Sequence, residues 1–323
     1  MKTVQIPNTE LTVSRLAYGT ARFGGGWDTI SPTAEMNANG LRMIETAVEH
    51  GVNHIDMADI YGGGTAIAVM GHVLAQRPGL RDKLVLQGKC GVVLANTPNV
   101  DDPLRYDFSY AHIVASVEKM LTGLGTDSLD LLAFHRPDPL FEPEEVARAV
   151  DHLHSSGKVR HFGVSNHSVG QIALLQKHLD QPLVLNQLEV SLLHHHLISA
   201  DILVNYTDNQ YANVAGLLDY CRLHDIMIQA WSPVARGKVF ALEEATAQQK
   251  AIAAELAAIA HAHGTTKAAV ALAWILRHPA GIQPILGTME PAHFPQSMPA
   301  VELELSRVEW YRLLAAGRGR GVL

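Results

Sequence analysis

Four residue types that together reduce carbonyls fall at the ends of apolar runs in this chain. The run HIDMADIYGGG, residues 54–64, carries Asp56, Asp59 and Tyr61 ahead of three glycines, LVLQGK ends in Lys89, and LDLLAFH ends in His135. A tyrosine phenol titrates near pH ~10, too high for fast proton transfer at neutrality, and an adjacent ammonium lowers that value by stabilising phenolate. Lys89 would supply that charge, and Asp56 would keep the lysine protonated and oriented. His135 would donate a hydrogen bond to a substrate oxygen as negative charge develops, leaving Tyr61 as the general acid. No side chain provides a hydride, so such a site requires a nicotinamide cofactor. Ser165, Asn166 and Gln187 offer the hydrogen bonds a carboxamide needs, and Trp231 offers a flat apolar face for the ring. Singly, each residue has a plain structural reading, as a strand-end lysine, a capping histidine, a turn carboxylate or a core tryptophan. Their joint placement is what points to a site.

That placement requires elements that bring distant residues together. Short apolar runs alternate with amphipathic segments, the pattern of βαβ units and a parallel sheet. After an N-terminal hairpin (VQI and LTV around PNT), the strand candidates are LAYGT, HIDMA, LVLQGK, LDLLAFH, HFGVS, LVLNQLE, MIQAW and QPILG. Eight strands with no linker or composition break predict one α/β domain over residues 1–323. The expected form is a (β/α)8 TIM barrel with an N-terminal β-hairpin and a C-terminal helical extension. The polar residues cluster at the C-terminal ends of these strands, which meet on one face of a barrel. An open dinucleotide-binding sheet would need G-x-G-x-x-G, and YGTARFGGGW lacks that spacing.

Composition narrows the class of partner. The chain has 323 residues, 47% of them hydrophobic, and a formal net charge of -7. No basic run marks a nucleic-acid or anionic-membrane surface. The N-terminus resembles neither a signal peptide nor an anchor, and a cytoplasmic protein is expected. Cys90 and Cys221 form no CxxC pattern, so neither a disulfide scaffold nor a structural zinc site is expected. The run His194, His195, His196 reads as a polar loop near the pocket, because neighbouring side chains on extended backbone point opposite ways.

The segments GVNHIDMADIYGGG, LVLQGKCG, LDLLAFHRPDP, SGKVRHFGVSN, LNQLEVS and IQAWSPVARG, in that order, are similar to those of the aldo-keto reductase superfamily over nearly the whole chain. The resemblance is greatest to bacterial oxidoreductases of the group that includes potassium-channel β subunits. It implies NADPH-dependent reduction of aldehydes and ketones, with Asp56, Tyr61, Lys89 and His135 as catalytic tetrad. It further implies cofactor contacts from Gly19, Thr20, Ser165, Asn166, Gln187, Trp231, Ser232, Pro233, Gly287, Thr288 and His293, with Trp231 stacked on the nicotinamide.

One segment departs from the pattern. Where the family places cations around the adenosine 2′-phosphate, this chain reads GTMEPAHFPQSM, with Glu290 adding negative charge and Phe294-Pro295-Gln296 replacing the usual helical continuation. NADPH is expected first and NADH second. Trp27, Tyr61, Tyr106, Phe108 and Trp231 are expected to line an apolar pocket for a small aliphatic or aromatic aldehyde, and Arg136 to anchor the RPDP turn, the alternative being that Arg22 and Arg136 recognise a carboxylate or phosphate. The loop 91–110 has two compatible readings, a lid and the lead-in to the next helix with Asp107 or Ser109 as N-cap. Asp59 is expected to be a solvated or turn-forming carboxylate. Two other readings are open: a nucleotide-occupied regulatory protein with little turnover, and a metal-dependent barrel hydrolase.

Overall fold

The computed structural model describes residues 1–26, 31–203, 212–240 and 243–321. Eight strands follow the order of the sequence: β1 (Ala17–Gly19), β2 (His54–Asp56), β3 (Val85–Cys90), β4 (Leu129–Phe134), β5 (Val159–Ser165), β6 (Leu183–Glu189), β7 (Met227–Trp231) and β8 (Gln283–Leu286). Each pairs in parallel with the next and β8 pairs with β1, so the sheet closes into a barrel. Closure buries both faces of the strands, which is why they read as continuous apolar runs; every residue of β3 and β4 is buried. The eight strand candidates all form, and the open-sheet alternative is excluded.

The return connections carry α1 (Ala34–Glu49), α2 (Thr65–Gln76), α3 (Tyr110–Leu124), α4 (Pro143–Ser155), α5 (Val169–His178), α6 (Leu217–Leu223) and α7 (Lys267–Leu276). Local chemistry sets their ends. Ser168 and Gln171 close a capping box at α5, while Ser109 caps α3 by accepting from the His112 N–H at 3.3 Å. Helices α2 and α3 pack closely through Gly71, where an added Cβ would lie 2.0 Å from the Gly123 carbonyl oxygen.

The N-terminal hairpin (Thr3–Gln5 with Thr12–Ser14) plugs one end of the barrel, its Ile6, Leu11 and Val13 packing on Val85, Leu131, Leu185 and Met227. The C-terminal helix Arg307–Arg318 is clamped onto α7. Trp274 and Trp310 stack at 5.6 Å and each indole N–H donates to the other's carbonyl oxygen, at 3.2 and 2.9 Å.

Two expectations need correction. Phe108 does not line a pocket: it is buried against Phe134 and Phe141, because Asp138 accepts its backbone N–H at 3.0 Å and draws the segment inward. After β8 a short helix, His293–Ser297, does form. Pro295 sits in its first turn, where no backbone donor is needed, and Phe294 is fully buried against Tyr18.

Candidate active site

The ladder of the barrel aligns the site directly. Gly19 is in register with Asp56 and Asp56 with Gln87, Ser165 pairs with Gln187, and Glu189 with Trp231. Beyond the strands the backbone stays attached: Asp59 N–H donates to the Lys89 carbonyl oxygen at 3.0 Å, and His135 N–H to that of Cys90 at 2.9 Å. The three glycines after Tyr61 now have a reason. Gly62 and Gly63 adopt φ of 58° and 65°, and a Cβ on Gly62 would meet the Gly24 backbone at 2.6 Å. That tight turn returns Tyr61 over the barrel mouth.

The four residues of the expected tetrad come together. Lys89 is fully buried and ion-paired with Asp56, and its ammonium lies 5.0 Å from the centre of the Tyr61 ring. Tyr61 meets His135 edge-on, with ring centres 5.8 Å apart. Burial alone would pull Lys89 down, but Asp56 and Tyr61 offset it, leaving the ammonium raised above its ordinary value. For Tyr61 burial wins: it pushes the phenol up against the opposing pull of Lys89, contrary to the lowering expected from the lysine alone. Burial, with Lys89 and Arg136, drives His135 well below the usual range, so its imidazole is neutral at neutral pH. Its Nδ1 is buried without a partner. Such a cluster can hold a phenol proton until negative charge develops nearby.

The residues expected to hold a cofactor border this cluster. Asn166, at φ 62°, accepts from the Trp231 indole N–H at 3.3 Å and donates to Ser165 Oγ at 2.8 Å. The Ser165 hydroxyl donates to the Gln187 carbonyl oxygen at 2.9 Å. Both N–H bonds of the Gln187 amide are engaged, on Asp56 Oδ1 at 2.9 Å and Gln229 Oε1 at 3.0 Å. A carboxamide N–H would therefore meet the Gln187 Oε1 acceptor. Thr20, fully buried, binds the Asp56 carbonyl oxygen through its hydroxyl at 3.1 Å. After β7 the backbone is left-handed at Ser232, Ala235 and Arg236, while Pro233 is buried. Beyond β8, Gly287 is exposed, and Thr288 Oγ1 lies 2.7 Å from His293 Nδ1 and accepts from Glu290 N–H at 3.0 Å. This donor set, with open backbone at Gly287 and the flat Trp231 face, fits a nicotinamide dinucleotide.

Other expectations change. Asp59 is not a solvated carboxylate: its Oδ1 is buried without a partner, and burial pushes its pKa up to about 7. The RPDP turn is held by Asp138, whose Oδ1 accepts from Leu140 N–H at 2.9 Å, leaving the Arg136 guanidinium over the Trp231 ring at 5.7 Å. Tyr106 is 37% exposed, in a ribbon (Val92–Val93 with Arg105–Tyr106) built from the loop 91–110, which leads into α3 with Ser109 as its cap. Trp27 lies outside the described residues. Within the histidine run, His194 and His196 face each other at 4.2 Å and His195 is buried on Ser199; no metal-binding group occurs among the described residues. Gln87 and Gln229, which contact the Asp56 cluster or its partners, were not singled out by sequence. The available signal is their position two residues before Lys89 and Trp231, which puts each on the same side of its strand as that residue.

A closed parallel barrel with an ion-paired lysine beneath a tyrosine, at the carboxyl ends of its strands, is the architecture of barrel oxidoreductases. Residues 15–317 match the Aldo/keto reductase family, and the chain belongs to it. It is an NAD(P)H-dependent oxidoreductase. It is 37% identical over 321 residues to the uncharacterized oxidoreductase YcsN of Bacillus subtilis, covering 99% of each chain. It is 38% identical over 314 residues to a 6-dehydroglucose reductase of Agrobacterium fabrum, covering 97% of each. Among solved structures, the glycerol dehydrogenase of Gluconobacter oxydans aligns with a TM-score of 0.79 at 25% identity, covering 97% of this chain and 95% of that one. An aldo/keto reductase from Klebsiella pneumoniae in complex with NADP and acetate aligns at 0.73 and 25%, covering 97% and 94%. Among the described residues, no helix is long and apolar enough to cross a membrane.

Proposed function

We propose that this chain, acting as one barrel domain, reduces the aldehyde of a small hydroxylated substrate to an alcohol, with Tyr61 as proton donor. The observation that carries the reading is the buried Lys89, paired with Asp56 and 5.0 Å from the Tyr61 ring, beside a neutral His135. The bound nicotinamide supplies the hydride. Ser165, Asn166 and the Gln187 Oε1 would hold its carboxamide, and Trp231 would back its ring. His135 orients the carbonyl oxygen through an N–H, and Tyr61 delivers its proton to that oxygen as charge builds. Lys89 then stabilises the phenolate left behind.

The substrate class follows from the pocket rim. With Phe108 in the core, the wall is less apolar than the sequence suggested. Arg136 lies over Trp231, and half-buried Glu189, raised by burial against the pull of Arg236 and Arg136, stands near His194 at 3.8 Å. A carboxylate, a guanidinium and an indole face suit hydroxyl groups on a carbon chain. The likeness to 6-dehydroglucose reductases supports a sugar-like aldehyde.

NADPH is the proposed cofactor, in agreement with the Klebsiella relative bound to NADP, but with weak discrimination against NADH. Glu290, exposed next to the Thr288–His293 pair, would repel a 2′-phosphate.

The test is a kinetic panel with NADPH. Glyceraldehyde and open-chain sugar aldehydes should exceed 4-nitrobenzaldehyde in kcat/KM, and Tyr61→Phe should lower kcat by roughly two to four powers of ten. Wild-type turnover in Tyr61→Phe would remove the acid assignment. Glu290→Lys should tighten NADPH relative to NADH; a thousand-fold NADPH preference of the unmodified protein would show that other groups hold the phosphate.

A further inference from the structure

The interior of a barrel is ordinarily packed with layers of branched apolar side chains. Next to the hairpin this chain complies, with Val85, Leu131, Leu185 and Met227. Closer to the site it does not: His54, Gln87, Gln187, Gln229 and Gln283 are all 0–2% exposed. Buried amides are tolerated where they are satisfied, and a connected set of them rigidifies what it touches.

The connections run in one direction. Asp56 Oδ1 accepts from Lys89, from Gln87 at 3.0 Å and from Gln187 at 2.9 Å. The second N–H of each glutamine goes to Gln229 Oε1, at 2.9 and 3.0 Å. Gln229 donates to Gln283 Oε1 at 2.9 Å, and Gln283 donates to the Ser14 carbonyl oxygen at 2.6 Å. Gln87 Oε1 is met by His54 Nε2 at 3.0 Å, and burial holds His54 neutral with a pKa lowered to about 4. A carboxylate and a backbone carbonyl only accept hydrogen bonds, so the two ends decide which way each amide faces. Turning any one of them would set like groups against each other.

We propose that this glutamine ladder is a positioning device for the reduction: Gln87 and Gln229, tied through Gln283 to the hairpin backbone, hold Asp56 in the one rotamer that keeps Lys89 charged beneath Tyr61. The three donors on a single carboxylate oxygen stabilise the anion, and the ladder below prevents its rotation. Neither Gln87 nor Gln229 is assigned contact with substrate or cofactor; both act through Asp56. The inference rests on the reading of Tyr61 as the acid and Lys89 as its charged neighbour. The charged or titratable groups that bear on this cluster are His54, Asp56, Tyr61 and Lys89, with Asp59, Asp130, His135 and Arg136 around them.

The test uses the full chain with NADPH and compares kcat, KM, cofactor Kd by fluorescence, and the pH profile of kcat. Gln229→Met leaves one N–H of Gln87 and one of Gln187 unpaired and releases Asp56. The expected result is a kcat lowered 10- to 100-fold with KM changed less than threefold; cofactor Kd is read in Gln87→Met, which leaves the Gln187 bonds in place and should change it less than threefold. The basic limb of the profile should move to lower pH, as Lys89 loses its proton more easily. Gln229→Glu, held protonated in this fully buried place beside the Asp56 carboxylate, keeps the acceptor for both glutamines and donates its proton to Gln283 Oε1, so its kcat and basic limb should stay close to wild type. A displaced limb in the methionine variant with a retained one in its hydrogen-bonding counterpart is a signature that a role in packing alone would not produce. Should Gln229→Met not fold, Gln87→Met, expected to behave as Gln229→Met does, gives the same reading. Folded methionine variants with an unmoved limb and kcat within twofold of wild type would overturn the proposal. If Tyr61→Phe nonetheless loses turnover, only the ladder falls; if Tyr61→Phe retains it, the acid assignment falls whatever the ladder variants do.

Discussion

At the hairpin end of the barrel, charge is matched and bonded. Asp130 accepts from Arg81 at 3.0 Å, from Arg160 at 3.2 Å and from the Leu86 N–H at 2.8 Å, while Glu10 is shared by Arg160 and His161. At the carboxyl end, His135 Nδ1 and Asp59 Oδ1 are buried without partners, and the non-glycine residues Asn166, Ser232, Ala235 and Arg236 carry left-handed φ angles of 48–62°. Such residues cost about 1–3 kcal/mol each and persist where surrounding structure over-determines them. The same eight strands thus build one end where the carboxylates of Asp130 and Glu10 are met by cations and another where polar atoms of the site itself stay unpaired, although His54 Nδ1 and Gln181 Oε1 are unpaired near the amino ends as well. The difference teaches that charge is neutralised locally at the hairpin end, while within the site polar capacity and left-handed backbone are kept at the other.

The comparison is best broken at Lys89. Lys89→Met leaves the Asp56 carboxylate buried without its cation, which costs about 3–5 kcal/mol, and it should remove most of the turnover. Denaturant unfolding and kcat measured together check this. A variant with wild-type turnover would show that the open end does not need its charge.

A smaller effect is expected at the opposite end. Asp130→Asn weakens two ion pairs while keeping the backbone contact possible, so it should lower stability by about 1–3 kcal/mol and leave kcat at 25 °C within about threefold. Loss of activity without loss of stability would abolish the division between the two ends.

A third effect is a change of slope with pH. Burial lowers His54, His167, His195 and His278 to about 4, so the stability of keeping them neutral is present above their unfolded value of ~6.5 and lost as pH falls through 4. Asp59 has the opposite sign. Its pKa of about 7 is above that of an unfolded aspartate, so its contribution is present at low pH and lost as pH rises toward 7. Unfolding free energy should therefore rise from pH 4 to 6.5, and rise more steeply in Asp59→Asn. Parallel curves for the two proteins would mean that the Asp59 carboxyl is not perturbed.

Much of this molecule was legible before its structure. Eight apolar runs, their order and their polar ends belong to the sequence, because a strand buried on both faces must be apolar throughout and a parallel sheet needs a helix-length return. The resemblance assigned Asp56, Tyr61, Lys89 and His135 roles, and the structure brings them together. Phe108 and Arg136 were misread for one shared reason: Asp138, 30 residues from Phe108, binds its backbone and also holds the turn that frees Arg136. Such a contact leaves no trace in local spacing.

Residue type and periodicity by themselves determined eight buried strands, their order along the chain and the polar residues at their carboxyl ends, since these depend on near neighbours and on burial averaged over a strand; closure into a barrel was expected and came with the tertiary structure. Tertiary structure alone decided that Tyr61 is a more reluctant acid than its lysine neighbour suggests, that the Asp59 Oδ1 is buried without a partner, and that four glutamines from four strands meet on one carboxylate or its partners. Each of those outcomes is a balance of desolvation against specific contacts, and both terms exist only once strands distant in sequence have closed around the same small volume.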